Sequence, residues 1–269
     1  MELLGEVVMP SMTAEQRRLW DLVIELAARL EPTQWSLVGG QMVALHALLA
    51  GVACPRVTRD VDVLANMEVL QSNLQACTAA LGELGLRVRL DGSGRAYRFS
   101  DGDAAGSVVV DLLAPDHRKK VSALWTVGGR TIQIEGGTQA LRRAAIVEVR
   151  LVDGRFGLVP TPNLHGAIVL KAAAWAADSR DRDRHAQDVA LLVRLIDDPT
   201  ELVAGFAGSD RKRLLRLRQV LDSPAAQEWL LLGDEGAEIG HANWVHLPAW
   251  TDLVVDRAGI RRKLRHSSS

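Results

Sequence analysis

Apolar residues in the first part of the chain recur with two different spacings. Between residues 14 and 30, apolar side chains return every three to four positions, a spacing that predicts an amphipathic helix. Thr13 and Gln16 match a capping box, in which each side chain accepts a hydrogen bond from the other residue's backbone N–H, so we expect this helix to begin after Thr13. The short apolar run at 35–38 predicts a buried strand.

Strand and helix patterns continue to alternate as far as residue 115. In chain order we predict a helix from Gly39 to Gly51, a strand over 59–65, a helix from Met67 to Gly85, a strand over 86–90, and a hairpin with strands over 94–100 and 107–115. Helices interleaved with strands and a hairpin indicate an α/β (mixed α+β) fold, in which helices flank a mixed sheet.

The pattern changes in the second half of the chain. Residues 120–160 alternate only weakly and predict no clear element. Thr161 is a typical N-cap residue and Pro162 a typical first helical residue, so we expect a helix to begin there. Helical spacing dominates afterwards. We therefore predict a mixed-sheet domain over 1–160 and a mostly helical C-terminal domain over 161–269.

Composition and charge limit the classes of function. The 269 residues carry a net charge of −1, so any nucleic-acid or membrane partner must be recognised by a local patch. Two cysteines in this length do not form a disulfide framework. No stretch approaches the ~20 apolar residues that span a bilayer, and the N-terminus lacks the basic segment of a secretory signal. We therefore expect a soluble cytoplasmic protein with no membrane partner.

Asp60 and Asp62 lie two positions apart in the strand predicted over 59–65. Side chains two apart on a strand point to the same face, so the two carboxylates are neighbours and each opposes ionisation of the other. Ion pairs with Arg56 and Arg59 are one source of compensating positive charge. A bound divalent cation is another.

The surrounding sequence favours the cation. Gly39 and Gly40 follow a strand and open a helix, and the backbone N–H groups at a helix start bind phosphate, which glycines allow to approach closely. Asp111 stands alone in an apolar run, and a buried carboxylate is costly unless it is paired or bound to a metal. The alternative is a structural Asp111 bonded to a neighbouring loop. Three aspartates on adjacent strands indicate a nucleotide site with two divalent ions.

These residues resemble the signature of the nucleotidyltransferase superfamily, and in particular its AbiEii/MenT branch of toxin-type enzymes. That branch has Gly-Gly or Gly-Ser and then Arg-x-Ser/Thr-x-Asp-x-Asp, which this chain matches with Gly39, Gly40, Arg56, Thr58, Asp60 and Asp62. The resemblance implies nucleotide binding by the first four of these. It also implies a magnesium (Mg²⁺ or Mn²⁺) site at Asp60, Asp62 and Asp111, with an NTP as substrate.

The same branch has a helical lysine, then an arginine, then an Asp-rich helix start. Lys171, Arg180 and Asp188 match these positions, and the resemblance implies that Lys171 contacts the nucleotide phosphates and that Asp188 lies near the catalytic centre. The family often has two aspartates at that helix start, whereas this chain keeps only Asp188. From the residues alone, Lys171 in an apolar helix either extends to solvent or faces a polar cleft.

Two basic stretches in the C-terminal half are candidates for acceptor binding. One runs from Arg211 to Arg218, and the other contains Arg261, Arg262, Lys263 and Arg265. Each alone is typical of a solvated helix face, but together they could follow a phosphate backbone. Arg211, Lys212 and Arg213 are therefore the acceptor-binding candidates.

The resemblance thus implies a toxin-type nucleotidyltransferase that moves a nucleoside monophosphate from an NTP to an RNA hydroxyl and releases pyrophosphate. The 3′ end of tRNA is the favoured acceptor, and a cognate antitoxin is a possible further partner. One alternative is the same transfer to a small molecule such as an aminoglycoside, or to a protein side chain. A second is an inactive protein that binds a nucleotide or a partner. The clustered carboxylates favour the enzyme over this last alternative.

Overall fold

A computed structural model describes residues 1–54, 58–103, 106–116 and 124–247, together with two short strands at 253–255 and 261–263. The strands are β1 (Leu3–Val8), β2 (Trp35–Val38), β3 (Val61–Ala65), β4 (Arg87–Arg89), β5 (Arg98–Ser100), β6 (Val109–Pro115), β7 (Trp125–Thr126), β8 (Gly129–Arg130), β9 (Ile132–Ile134), β10 (Ala144–Arg150), β11 (Phe156–Pro162), β12 (Leu253–Val255) and β13 (Arg261–Lys263). The helices are α1 (Ala14–Arg29), α2 (Gly39–Leu49), α3 (Asn73–Glu83), α4 (Gly137–Arg142), α5 (Leu164–Ala177), α6 (Arg182–Arg194), α7 (Pro199–Ala204), α8 (Asp210–Leu215), α9 (Arg218–Leu221), α10 (Gln227–Leu230) and α11 (Gly233–His246).

The largest sheet is mixed, as the sequence predicted. Its strand order is β2-β3-β6-β5-β4, with β9 pairing to the far end of β6. Strands β3 and β6 run parallel, whereas β2 is antiparallel to β3 and β5 is antiparallel to β6. A second sheet has the order β1-β10-β11. The predicted hairpin over 94–115 is present as β5 and β6.

The two central strands of the large sheet, β3 and β6, are covered on both faces. Val61 and Val63 belong to a core cluster that also contains residues of α1 and α3. Leu64 and Leu113 belong to a second cluster with residues of α2, α5 and α6. Because side chains alternate along a strand, Asp60, Asp62 and Asp111 share the face of Leu64 and Leu113. The carboxylates therefore lie on the side of the sheet that the C-terminal helices cover.

Two local predictions, the start of α1 and the glycine after α2, are confirmed. Thr13 and Gln16 form the capping box, and α1 begins at the next residue, Ala14. The glycine at position 51 follows α2 with a φ of +66°, which suits a residue that ends a helix. None of the helices in the described part of the chain has the length and apolar character that a membrane crossing requires.

The predicted helix start at Thr161 and Pro162 is wrong. Both residues are the last two of β11, paired with Ala145 and Ala144 of β10, and the Thr161 hydroxyl donates a hydrogen bond to the carbonyl oxygen of Leu37 at 3.2 Å. Asn163 caps the helix instead, because its side chain accepts a hydrogen bond from the N–H of Gly166 at 3.0 Å.

Other boundaries also differ from the predictions. The helix predicted from Met67 begins only at Asn73, whose side-chain amide donates to the carbonyl oxygen of Asn66 at 2.9 Å. Strand β1 and the strands between 125 and 162 were not predicted. The basic stretch 211–218 begins inside the short helix α8, passes through the two residues that follow α8, and ends at the first residue of α9. The predicted domain boundary at 160/161 falls inside β11, and the division into two domains stays a prediction.

Candidate active site

Four residues form one row across the large sheet. Val38 at the end of β2 is paired with Asp62 of β3, Asp62 with Asp111 of β6, and Asp111 with Arg98 of β5. Residues directly opposite each other on neighbouring strands have side chains about 5 Å apart. The register therefore brings the carboxylates of Asp62 and Asp111 side by side, although the two residues are far apart in sequence.

Asp60 lies just before β3, on the same face as Asp62. The Thr58 hydroxyl donates a hydrogen bond to a carboxylate oxygen of Asp60, Oδ1, at 2.9 Å. Thr58 itself is buried and Asp60 is half-buried. The threonine of the motif therefore orients the first aspartate, and this hydrogen bond is the contact that the structure shows for it.

The pKa of Asp62 is raised from its ordinary value of 3.8 to about 7. Burial is the largest cause, and the neighbouring charges of Asp60 and Asp111 act in the same direction. The ammonium of Lys171 and a hydrogen bond from the N–H of Gly40 lower the pKa but do not balance these effects. The carboxylate cluster thus lacks positive charge, and a cation bound there would favour the ionised form of Asp62.

Asp111 is held by a guanidinium. Arg98 donates from Nε to Oδ1 and from Nη2 to Oδ2, both at 2.8 Å, in a two-point ion pair. Such two-point pairs fix the orientation of the carboxylate. The sequence analysis missed Arg98. Its position opposite Asp111 in the predicted hairpin was the available signal, but the register of that hairpin was not predicted.

Gly39 makes the close approach of α2 to the aspartates possible. Its φ is +68°, and a Cβ added to it would lie 1.7 Å from Oδ2 of Asp62. Only glycine meets both conditions without displacing the carboxylate. The N–H of the next residue, Gly40, donates to Asp62. The glycine pair therefore contacts the aspartate directly and brings the start of α2 against the carboxylate cluster.

We expect Gly39→Ala to disrupt the site more than the fold. The new methyl group must displace Asp62, and the positive φ adds a strain on the order of 1–2 kcal/mol. Urea unfolding should show that loss, whereas nucleotide binding by isothermal titration should be abolished. Gly51→Ala is a matched control, because Gly51 has a similar φ of +66° but no neighbouring atom within 4 Å of the added Cβ. Equal nucleotide binding by both variants would contradict the proposed role of Gly39.

Lys171 and Asp188 form a buried ion pair between α5 and α6. The ammonium nitrogen lies 2.7 Å from Oδ2 of Asp188, and each residue is only 4% exposed. Lys171 faces a polar cleft rather than solvent. Asp188 therefore contacts a residue of the cleft, and this contact indicates a positioning role for it.

A cleft of about 680 Å³ brings the predicted residues together. Gly39, Asp62, Asp111, Lys171 and Arg180 all line it. The cleft also has polar residues that sequence reasoning missed, namely Gln133, Glu135, Asp178, Ser179 and His185. The Nδ1 atom of His185 is buried and has no hydrogen-bond partner in the part of the chain that the structure describes. This volume is typical of a pocket for a nucleotide-sized ligand.

The remaining predicted residues lie elsewhere. Arg56 is outside the described residues. Arg213 is buried, with its Nη1 donating to Gln139 at 2.8 Å and its Nη2 3.6 Å from a carboxylate oxygen of Asp116. Arg211 and Lys212 are on α8 beside it, and none of the three lines the cleft. Arg213 is therefore part of the packing between α8 and the sheet region.

The carboxylates fit a hard divalent cation in chemistry, since carboxylate oxygens are the ligands that Mg²⁺ prefers. Within the described residues, no three histidine, cysteine or acidic side chains are close enough to form a complete metal cage. Both oxygens of Asp111 already accept from Arg98. Among the described residues, Asp60 and Asp62 are therefore the carboxylates of this cluster without a guanidinium partner, and they would hold an ion whose coordination a substrate phosphate completes.

Comparisons with protein-family models, with curated proteins and with solved structures found no match.

Proposed function

We propose that this chain is a metal-dependent nucleotidyltransferase. The observation that carries the proposal is the convergence of Gly39, Asp62, Asp111 and Lys171 on one cleft. The cross-strand register and the close contact between Gly39 and Asp62 both support it. A protein that only binds nucleotide gains nothing from neighbouring carboxylates, whereas a phosphoryl-transfer site needs carboxylates to hold divalent ions and to accept the proton of the attacking hydroxyl.

The proposal gives a role to the residues that line the cleft and to those that contact or precede them. Asp60 and Asp62 would hold Mg²⁺ or Mn²⁺, which supplies neutralising charge to the triphosphate when bound. Lys171 would contact the triphosphate as a compact cation, positioned by Asp188. Gly39 and Gly40 let a phosphate approach the start of α2. Asp111, which Arg98 orients, would accept the proton of the attacking hydroxyl with a lone pair that the ion pair leaves free.

The acceptor in this proposal is an RNA hydroxyl, with the 3′ end of tRNA favoured by the resemblance to toxin-type enzymes. The proposal also includes a cytoplasmic location and a cognate antitoxin, which the resemblance to the AbiEii/MenT branch supports. The second candidate is transfer to a cationic small molecule such as an aminoglycoside. Glu135 and Asp178 favour it, because they add negative charge to the cleft.

The experiment is incubation of the purified chain with each α-³²P-labelled NTP, Mg²⁺ and total RNA, followed by denaturing electrophoresis. We expect label from at least one NTP on RNA of tRNA size, and no label with the Asp60→Asn variant. Parallel reactions contain an aminoglycoside or a protein lysate in place of RNA. Label only on the aminoglycoside or only on protein would show that this molecule, and not RNA, is the acceptor. Absence of label from all four NTPs on every acceptor would reject the enzyme.

A further inference from the structure

Three arginines line a second cleft on the other side of Asp111. This cleft has a volume of about 500 Å³, and Arg59, Arg89 and Arg98 line it together with Ser100. Resting on the proposed function, we propose that it is the acceptor site, where Arg59 and Arg89 bind phosphates of the RNA strand whose hydroxyl is to be modified. Nothing in the sequence had assigned a role in acceptor binding to these arginines.

The ion pair between Asp111 and Arg98 connects the two clefts. Asp111 lines the cleft that contains Lys171, and Arg98 lines the second one. In phosphoryl transfer the attacking and leaving oxygens lie roughly in line, on opposite sides of the phosphorus. If Asp111 accepts the proton of the attacking hydroxyl, as proposed above, that hydroxyl arrives beside Asp111 and pyrophosphate leaves on the opposite side of the phosphorus. The second cleft lies on that side.

The charges of the second cleft suit an anionic strand. Arg59 is exposed, directly precedes Asp60, and has no ion-pair partner among the described residues. Arg89 lies 2.8 Å from Asp103, which is 84% exposed, so this pair contributes little and can be exchanged for a phosphate. Glu15 and Asp103 are the acidic residues of the cleft. Arginine side chains are among the groups that contact phosphates and position a nucleic-acid backbone without reading bases.

This location differs from the one that the sequence favoured. Arg213, the third residue of the predicted acceptor tract, is buried against Gln139 and Asp116. A buried and paired guanidinium cannot follow a flexible phosphate backbone. Arg211 and Lys212 remain as the competing pair, and removing them takes away the same charge as removing Arg59 and Arg89.

The test measures binding of a fluorescein-labelled 12-nucleotide single-stranded RNA by anisotropy over a salt series, without NTP or metal. Wild type is compared with Arg59→Gln/Arg89→Gln and with Arg211→Gln/Lys212→Gln. We expect the first variant to lower the slope of log affinity against log salt by about 1.4, because each phosphate contact on a single strand adds about 0.7. The second variant should keep the wild-type slope. NTP affinity should be the same in wild type and in both variants.

Steady-state transfer separates this inference from the proposed function. If transfer occurs, Arg59→Gln/Arg89→Gln should raise KM for RNA about tenfold or more with little change in kcat. If that variant transfers to RNA with the KM and salt slope of wild type, the second cleft is not the acceptor site, but the nucleotidyltransferase activity stands. A lowered slope only in Arg211→Gln/Lys212→Gln would also overturn it. If Arg59→Gln/Arg89→Gln loses RNA binding but wild type transfers no nucleotide, the second cleft binds RNA and the proposed nucleotidyl transfer is rejected. The single variant Arg59→Gln serves if the double variant does not fold.

Discussion

Asp62→Asn is expected to abolish nucleotide transfer and, at the same time, to stabilise the metal-free chain. Removing one charge-stabilising group from a catalytic site typically costs on the order of 100- to 1000-fold in rate. The stabilising effect arises because asparagine keeps the shape and the hydrogen bond from Gly40 but removes a carboxylate whose pKa is raised to about 7. The cleft gives Asp62 some access to water, so we expect a gain of about 1–3 kcal/mol at pH 8 rather than the full value of the shift.

The pH dependence of this gain has a definite sign. Between about pH 4 and pH 7 the folded chain keeps a proton on Asp62 that the unfolded chain releases, so this group lowers the free energy of unfolding as the pH rises through that window. Above pH 7 its contribution is constant. The difference in stability between Asp62→Asn and wild type should therefore grow from pH 4 to pH 7 and then level off. Thermal unfolding in EDTA measures it.

Magnesium provides the complementary measurement. Added Mg²⁺ should raise the Tm of wild type at pH 8, because a ligand that binds only the folded state stabilises it, and should not raise the Tm of Asp62→Asn. Asp234→Asn is the control, since Asp234 is an exposed carboxylate on α11. A well-folded Asp62→Asn variant with near-normal transfer would refute the metal role of Asp62. So would an equal rise in Tm on adding Mg²⁺ to wild type and to Asp62→Asn.

Lys171→Met is expected to lose both stability and transfer. The substitution leaves Asp188 buried without its ammonium partner, and breaking a buried ion pair in this way typically costs about 3–5 kcal/mol. The chain also loses the cation that would neutralise the triphosphate. Urea unfolding and the labelled-NTP assay measure the two effects separately.

The double variant Lys171→Met/Asp188→Leu separates structure from chemistry. Replacing a buried ion pair with apolar residues of similar volume is often neutral or stabilising, so most of the lost free energy of unfolding should return. Transfer should stay absent, because the buried cation that would contact the nucleotide phosphates is gone and the remaining cleft cation, Arg180, is exposed. Recovery of transfer along with stability would show that Lys171 acts only in packing. Wild-type stability of the single variant would show that the buried pair does not form.

These two predictions describe one physical conflict at the site. The carboxylates on β3 and β6 are placed side by side in a partly buried row, which costs stability in the absence of a cation. The surrounding core is extensive and apolar on both faces of these strands, and so can tolerate that cost. Destabilised, closely spaced charges in a cleft are typical of functional sites rather than of packing.

Much of the candidate site could be predicted from short-range patterns. The alternation along β3 places Asp60 and Asp62 on a common face, because strand side chains alternate whatever the strand packs against. That Asp111 joins them depends on the pairing of β3 with β6. The glycine pair at 39 and 40 follows a buried strand and opens a helix, which local sequence also determines. The capping box of α1 depends on Thr13 and Gln16, only three residues apart.

The partners of these residues depended on tertiary structure. Arg98 and Asp111 are 13 positions apart, and their pairing follows from the register of a hairpin that the sequence pattern did not determine. Lys171 could have extended to solvent. The docking of α6 against α5 places Asp188 2.7 Å from the ammonium of Lys171, and this contact directs Lys171 to the cleft instead. Long-range packing, not local spacing, decided both contacts.

What the sequence alone determined, then, was the kind of element at each motif and the face on which the carboxylates lie, because both depend on residues within a few positions of each other. Tertiary structure decided which charges meet. It extended β11 through Thr161 and Pro162, because β10 supplied hydrogen-bond partners that outweighed a local helix signal. It buried Arg213 beside Asp116 and left Arg59 and Arg89 at a cleft next to Asp111. A charged side chain has the same local pattern in either setting, and only the surrounding fold determines whether it is paired or available to a ligand.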